Sequence, residues 1–185
     1  MPKRKLRCRS GMTIVETLMA VLIIALLTST ILIGTQAAMR VTYQETFVAE
    51  SQSVADTMNR ALSDVLRYAQ NVTTDDDTRV TSYSNAAYGV TDGMLRVGTG
   101  TKDAGHIYLS YAGEGDSGNI SLLSNLSYSN LKVVPADFTP GTSLSSRFDL
   151  RYKDGVFTGS YCLYDSARQL VTEPYTFTFR AVNGE

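Results

Sequence analysis

Residues 17–33 read TLMAVLIIALLTSTILI, seventeen positions without a charge. A run this apolar forces the first part of the chain into a helix, because backbone groups in an apolar medium must satisfy one another. Its length is near the lower limit for a span, and adding Met12–Val15 on the far side of Glu16 makes it long enough. Lys3, Arg4, Lys5, Arg7 and Arg9 precede it with no acid between them. A basic head before an apolar run marks the cytoplasmic side of a membrane. The hydroxyls of Thr28, Ser29 and Thr30 do not forbid burial, since they can bond back to helix carbonyls. Glu16 is the exception: a carboxylate at bilayer depth costs roughly 2.5–3.5 kcal/mol on insertion scales and so points to a function.

The helical pattern continues past the apolar run. Val41, Val48, Ala55, Leu62 and Ala69 recur every seven residues, and Phe47, Val54, Ala61 and Tyr68 form a parallel row with Met58 and Val65 between. This is one apolar stripe on a helix. No Pro interrupts residues 12–72, and Gly34 is the one weak point, at about 1 kcal/mol relative to Ala. A helix from Met12 to Asn71 is expected, about 90 Å at 1.5 Å per residue. Its second half must leave the membrane and cover something.

After Asn71 the texture changes. Thr73-Thr74-Asp75-Asp76-Asp77 is read as the end of the helix, residues 72–93 as loop-rich, and Asp92-Gly93 as a turn. Short strands are expected at Met94–Gly98 and His106–Ala112, joined by a hairpin loop over Gly98–Gly105, with a flexible loop at Gly113–Gly118. The clearest β signal is Arg147–Tyr152, the turn Lys153-Asp154-Gly155, and the return Val156–Tyr164, followed by alternation over Tyr175–Val182. An antiparallel meander with one apolar face needs a cover, and the helical stripe supplies it. The expected fold is α+β: a long N-terminal helix, transmembrane in its first half and amphipathic in its second, packed on a small antiparallel sheet. The expected segments are 1–11, 12–34, 35–71 and a β-rich head over 72–185.

Charge and composition narrow the function. The formal net charge of -1 conceals an asymmetry, because removing the five basic residues of positions 1–11 leaves 12 bases against 18 acids, about -6. That balance lacks the basic footprint of a general nucleic-acid binder. With Cys8 in the basic head, Cys162 has no internal disulfide partner once residues 1–11 are removed. One Cys and the single His106 do not make a metal site. Asp75-Asp76-Asp77 lacks the spacing of a calcium loop, and Gly98-Thr99-Gly100 lacks the ending of a phosphate loop. No Ser/His/Asp arrangement surrounds His106. The expectation is a chain that is not an enzyme and needs no cofactor. Tyr83, Tyr88, Tyr108, Tyr111 and Tyr128 are read either as an adhesive or DNA-contacting surface or as sheet packing.

Arg9-Ser10-Gly11, then Met12-Thr13-Ile14-Val15-Glu16 and an apolar helix, resembles the class III signal of type IV pilins and type II secretion pseudopilins. The motif match covers residues 5–34, and the helix-then-sheet order extends it over the chain. The resemblance implies cleavage between Gly11 and Met12 by prepilin peptidase and N-methylation of Met12. It also implies an assembly role for Glu16, which would neutralise the N-terminal amine of a neighbouring subunit. An ammonium and a carboxylate together offset part of each other's desolvation. The implied partners are the peptidase, other pilin subunits, an assembly ATPase with its membrane platform, and the lipid bilayer. The implied localisation is single-pass in the cytoplasmic membrane, then in an extracellular filament, with an accessory (minor) subunit preferred. Met12 stands where many members have Phe, and no Pro bends the helix near Ile33 and Gly34. The missing C-terminal disulfide favours a Gram-positive system.

Two rival readings come from the same residues. Thr35-Gln36-Ala37 has the small-x-small form of a conventional signal-peptidase site, against which Glu16 and the stripe beyond Arg40 both argue. A membrane-anchored surface binding protein that forms no filament is the other.

Overall fold

The computed structural model describes residues 13–75, 77–100, 102–110, 118–122 and 131–182. The chain divides into two compact units, Met1–Phe47 and Val48–Glu185. One helix, α1 (Ile14–Arg67, 54 residues), runs through both. With its antiparallel sheets the protein is α+β, as expected.

In the first unit α1 is apolar and largely exposed up to the unit's last residue, Phe47, which is buried. Ile14, Leu18, Val21, Ile24, Leu27 and Ile31 are all more than half exposed. Its hydroxyls are turned back onto the helix: Thr28 Oγ1 donates to the Ile24 carbonyl at 2.7 Å, and Ser29 Oγ and Thr30 Oγ1 donate to that of Leu26 at 2.8 Å. No donor on this cluster is left facing outward, so the segment stays compatible with an apolar surrounding.

In the second unit the helix buries a narrow face. Ser51, Ala55, Met58, Leu62 and Val65 are buried, with steps alternating four and three, Leu66 widens the face near its end, and Ala69 continues it just past the last turn. Of the expected parallel row Phe47 is buried and Val54 and Ala61 are half-buried, but the margins of the stripe are left uncovered. Val48 is 50% exposed and Tyr68 56%, and in the first unit Val41 is 53% exposed. The helix is also shorter than expected. It stops at Arg67, because the β-branched run after Asn71 enters β1 (Gln70–Thr74). Its last carbonyls, which a helix leaves without internal partners, are all met. Val65 O accepts from Asn85 Nδ2 at 2.7 Å, Leu66 O from the Ala69 amide at 3.3 Å, and Arg67 O from the Val182 amide at 2.8 Å.

The segment expected to be loop-rich is a sheet. β1, β2 (Val80–Asn85) and β3 (Val90–Gly93) pair antiparallel in that order. Asp75 lies in the β1–β2 connection rather than at the helix end, and its Oδ1 accepts the amides of Asp77 at 3.1 Å and Arg79 at 2.9 Å. Asp92-Gly93 closes β3 instead of forming a tight turn. β4 (Arg96–Val97), β5 (Ile107–Ser110) and β6 (Ile120–Ser121) form a second three-stranded sheet. Its β4–β5 pair matches the hairpin expected around Gly98–Gly105. The loop expected at Gly113–Gly118 lies almost wholly outside the described residues.

The C-terminal meander has the expected form. β8 (Asp149–Lys153) turns through Asp154 and Gly155, both at positive φ (52° and 76°), into β9 (Val156–Asp165). Paired positive φ angles make the two-residue turn that matches strand twist, which explains Asp-Gly. β9 organises the third sheet. Residues 156–161 lie between β8 and β11 (Tyr175–Arg180), and residues 162–165 lie between β7 (Leu131–Val134) and β10 (Leu170–Val171). Tyr161 and Leu163 face the main core with Met58, Leu62, Phe148, Phe157 and Phe177, while Cys162 and Tyr164 face a small cluster with Val134 and Phe138. Single bridges join the sheets: Arg79 opposite Arg151, and Arg96 opposite Arg147.

Candidate assembly helix

The start of α1 is set by Thr13. Its carbonyl accepts the Thr17 amide at 3.1 Å, and its Oγ1 accepts the Glu16 amide at 3.3 Å. Thr13 therefore caps the helix, and Glu16, three residues on, sits where a carboxylate meets the positive end of the helix dipole. Thr-x-x-Glu is the capping-box spacing. The signal lies in the sequence, in the same residues, 12–16, that resemble a processing motif. Thr17 Oγ1 donates to the Ile14 carbonyl at 2.8 Å, closing another polar group onto the backbone.

Glu16 is exposed, between Val15 at 69% and Leu18 at 64% exposure. Among the described residues no cation lies within ion-pair distance of it. Among the described residues Glu16 is thus a carboxylate without a countercharge on an apolar helical surface. Gly11 and Met12, the expected cleavage and methylation positions, lie outside the described residues. Thr35-Gln36-Ala37 is interior to α1, and all three residues are exposed.

α1 is long and apolar enough to cross a membrane, and its most apolar stretch is not buried by the rest of the chain. It is compatible with a single-pass anchor.

The other residues singled out in the sequence fall into place in the head. Asp103 is buried, and its Oδ1 accepts the Gly100 amide at 2.8 Å. The Gly98–Gly100 turn thus spends an amide on the chain's own carboxylate, the group a phosphate would replace. His106 is half-buried with its ring 6.5 Å from that of Tyr108. Burial, and then the Asp103 charge, raise the Tyr108 hydroxyl above its ordinary range. Tyr83 is core, with its hydroxyl donating to the Leu109 carbonyl at 3.3 Å, so it is no part of a surface. Tyr88 is 42% exposed, and Tyr111 and Tyr128 lie outside the described residues. Cys162 is buried, its thiol 3.8 Å from the Ala136 carbonyl, and burial followed by Asp137 pushes its pKa up. A thiol held neutral in this way is structural rather than reactive.

No protein-family model, curated protein or solved structure matches the chain.

Proposed function

We propose that the chain is a pilin-like structural subunit, made as a membrane-anchored precursor and assembled into a filament through the first half of α1. The observation that carries this reading is Glu16: a carboxylate with no ion-pair partner among the described residues, on an exposed apolar helix, four residues beyond the Met12 that follows Gly11. On a lone membrane anchor its contribution at the helix start, about 0.3–1 kcal/mol, falls short of the roughly 2.5–3.5 kcal/mol that a carboxylate costs at bilayer depth. In a bundle of identical helices it meets the amine that cleavage frees on a neighbour's Met12, and the pair offsets part of the desolvation of each. The same apolar surface serves first against lipid and then against other subunits. The head, Val48–Glu185, is what the filament would present.

On this reading a prepilin peptidase cuts between Gly11 and Met12, the new amine is methylated, and an assembly ATPase with its membrane platform drives polymerisation. An accessory subunit of a Gram-positive system is the preferred assignment.

The mature N-terminus tests the reading. Mass spectrometry of the protein from a strain with active prepilin peptidase is expected to find N-methylated Met12 as the first residue. Gly11→Val is expected to leave residues 1–11 attached, because the cut requires a small residue there. An intact leader on the unaltered protein would leave the alternative, an anchored surface binding protein.

A further inference from the structure

Arg79 and Arg147, remote in sequence, line a cavity of about 370 Å³ on the head, and Arg151 and Arg96 are their respective cross-strand partners. Residues 147, 149 and 151 alternate onto one side of β8 and its lead-in, opposite the buried Phe148 and Leu150. Arg79 lies directly across from Arg151, and Arg96 directly across from Arg147. Directly opposed residues on antiparallel strands share a face, and like charges placed so are destabilising. The fold makes two such pairs, four residues apart along β8 and its lead-in. Among the described residues only Arg151 of the four has a carboxylate within ion-pair distance, with Nε 3.6 Å from Asp149 Oδ1.

Arg79 is the most telling of the four. Its main chain is clamped by Asp75, whose amide donates to the Arg79 carbonyl at 2.9 Å and whose Oδ1 accepts the Arg79 amide at 2.9 Å. Its side chain lines the cavity, and its Nε is buried without an acceptor among the described residues. Guanidinium does not release its proton. An unanswered buried donor on a charged group is costly, whereas a protein that had no use for the charge would leave it in water. Arg147 faces the same cavity from another segment, over a floor of Pro135 and Ala136. The lining acids are Asp137 and Asp149, and Asp149 is already engaged by Arg151. Counting Arg151 with the lining, three positive charges stand against two negative ones.

We propose that this cavity is a binding site for a phosphate group, held between the guanidinium groups of Arg79 and Arg147. A tetrahedral oxyanion offers several oxygens in different directions, so it can accept from two forks that approach from separate segments, and its charge relieves both Arg–Arg pairs. A planar carboxylate carries less charge and keeps its acceptor sites in one plane, so it meets two forks from separate segments less fully. The site is independent of the assembly helix, and it gives the head a ligand whether or not the chain polymerises.

The test is calorimetric titration of inorganic phosphate into the full-length protein in detergent at low ionic strength. Saturable binding at one site per chain is expected, with acetate weaker by about tenfold or more. Arg79→Gln and Arg147→Gln are each expected to weaken binding by about tenfold or more. Arg180→Gln, at an exposed position on β11, is expected to leave it unchanged. Because Arg147 is exposed, its substitution keeps the test valid even if the Arg79 variant folds poorly. Methyl phosphate and dimethyl phosphate identify the source: binding of both points to a phosphodiester polymer, and binding of the monoester alone to a free or terminal phosphate. Absence of saturable binding, equal binding of acetate, or an equal loss in Arg180→Gln would each overturn the proposal.

Discussion

The Tyr161 hydroxyl, on the central strand of the head, donates to the Ala55 carbonyl of α1 at 3.2 Å and lies 3.2 Å from Asn59 Oδ1. One side chain thus fixes the helical face against β9 both by ring packing and by a directional bond. Its ring also sits near those of Phe148, Tyr175 and Phe177. The Ala55 carbonyl belongs to a helix interior and keeps its helical donor when the hydroxyl is removed. Tyr161→Phe is therefore expected to cost only about 1 kcal/mol, the net value of a hydrogen bond whose acceptor stays satisfied. Urea unfolding of the head, followed by tyrosine circular dichroism since the chain has no Trp, would show it. A loss well above that figure would mean that the hydroxyl positions the helix.

The same burial makes alkaline pH destabilising. Desolvation raises the hydroxyls of Tyr83 and Tyr161 well above the ordinary 10.0, with Tyr175 and then Asp56 adding to the shift at Tyr161. Between the ordinary and the raised value the unfolded chain has lost these protons while the folded one keeps them. The folded state then binds more protons, and stability falls as pH rises. The contribution is complete below about pH 10 and declines above it. Thermal unfolding midpoints are expected to fall from about pH 10 upward, and to fall less steeply in Tyr161→Phe.

Asn85 joins the end of the helix to the first sheet. It is buried, its Nδ2 meets the Val65 carbonyl, and its Oδ1 accepts the Ala87 amide at 3.0 Å, capping the short 3₁₀ turn Ala86–Tyr88. Asn85→Ala leaves a helix-terminal carbonyl and an amide without partners, at about 2–3 kcal/mol. Asn85→Asp keeps the cap but turns an acceptor toward the Val65 carbonyl, so it is expected to be no better than Ala. Urea midpoints rank the three proteins.

These contacts mark the limit of what the sequence discloses. The β8–β9 hairpin was legible because alternation and Asp154-Gly155 state strand and turn together, and the helix was legible from its period. β1–β3 were not. Their residues are Thr, Ser, Asn and Tyr with few strongly apolar positions, and their pairing carries bulges at Gln70–Thr74 and Tyr83–Asn85. Asn71 and Asp92 take positive φ inside strands, which reads locally as turn. The width of the helical stripe was overestimated because period alone does not say where cover ends. Glu16 stood out as a charge in an apolar run, while the hydroxyl that caps its helix was hidden by that prominence. The arginine face was invisible, since Arg79, Arg96, Arg147 and Arg151 meet only through bridges between sheets.

Gly159 shows how tightly β9 is enclosed. A Cβ there would lie 2.4 Å from Phe177 Cζ and 2.5 Å from the Asp149 carbonyl oxygen. The ring is held by Phe148 and Phe179, and the oxygen belongs to the adjoining strand, so neither yields freely. Gly159→Ala is expected to destabilise the head by about 1–3 kcal/mol, as overpacking does. Gly34→Ala, with nothing within 4 Å of the added carbon, should instead leave unfolding of the head unchanged. A tolerated Gly159→Ala would show that β8 can move away from β9.

Thr13 and Glu16 together decide what the charge is for. If Glu16 serves only to start the helix, then Gln, which also suits the third position of a capping box, should replace it without consequence. Thr13→Ala should then be the harmful change, at about 1 kcal/mol of helix stability. If Glu16 pairs with a neighbour's amine, the order reverses. Glu16→Gln is expected to be processed normally yet to fall sharply in filaments sheared from cells, while Thr13→Ala is processed and incorporated. Immunoblots of the sheared and cell-bound fractions compare the two variants directly. Normal incorporation of Glu16→Gln would reduce this carboxylate to a helix cap and remove the main support for assembly through α1.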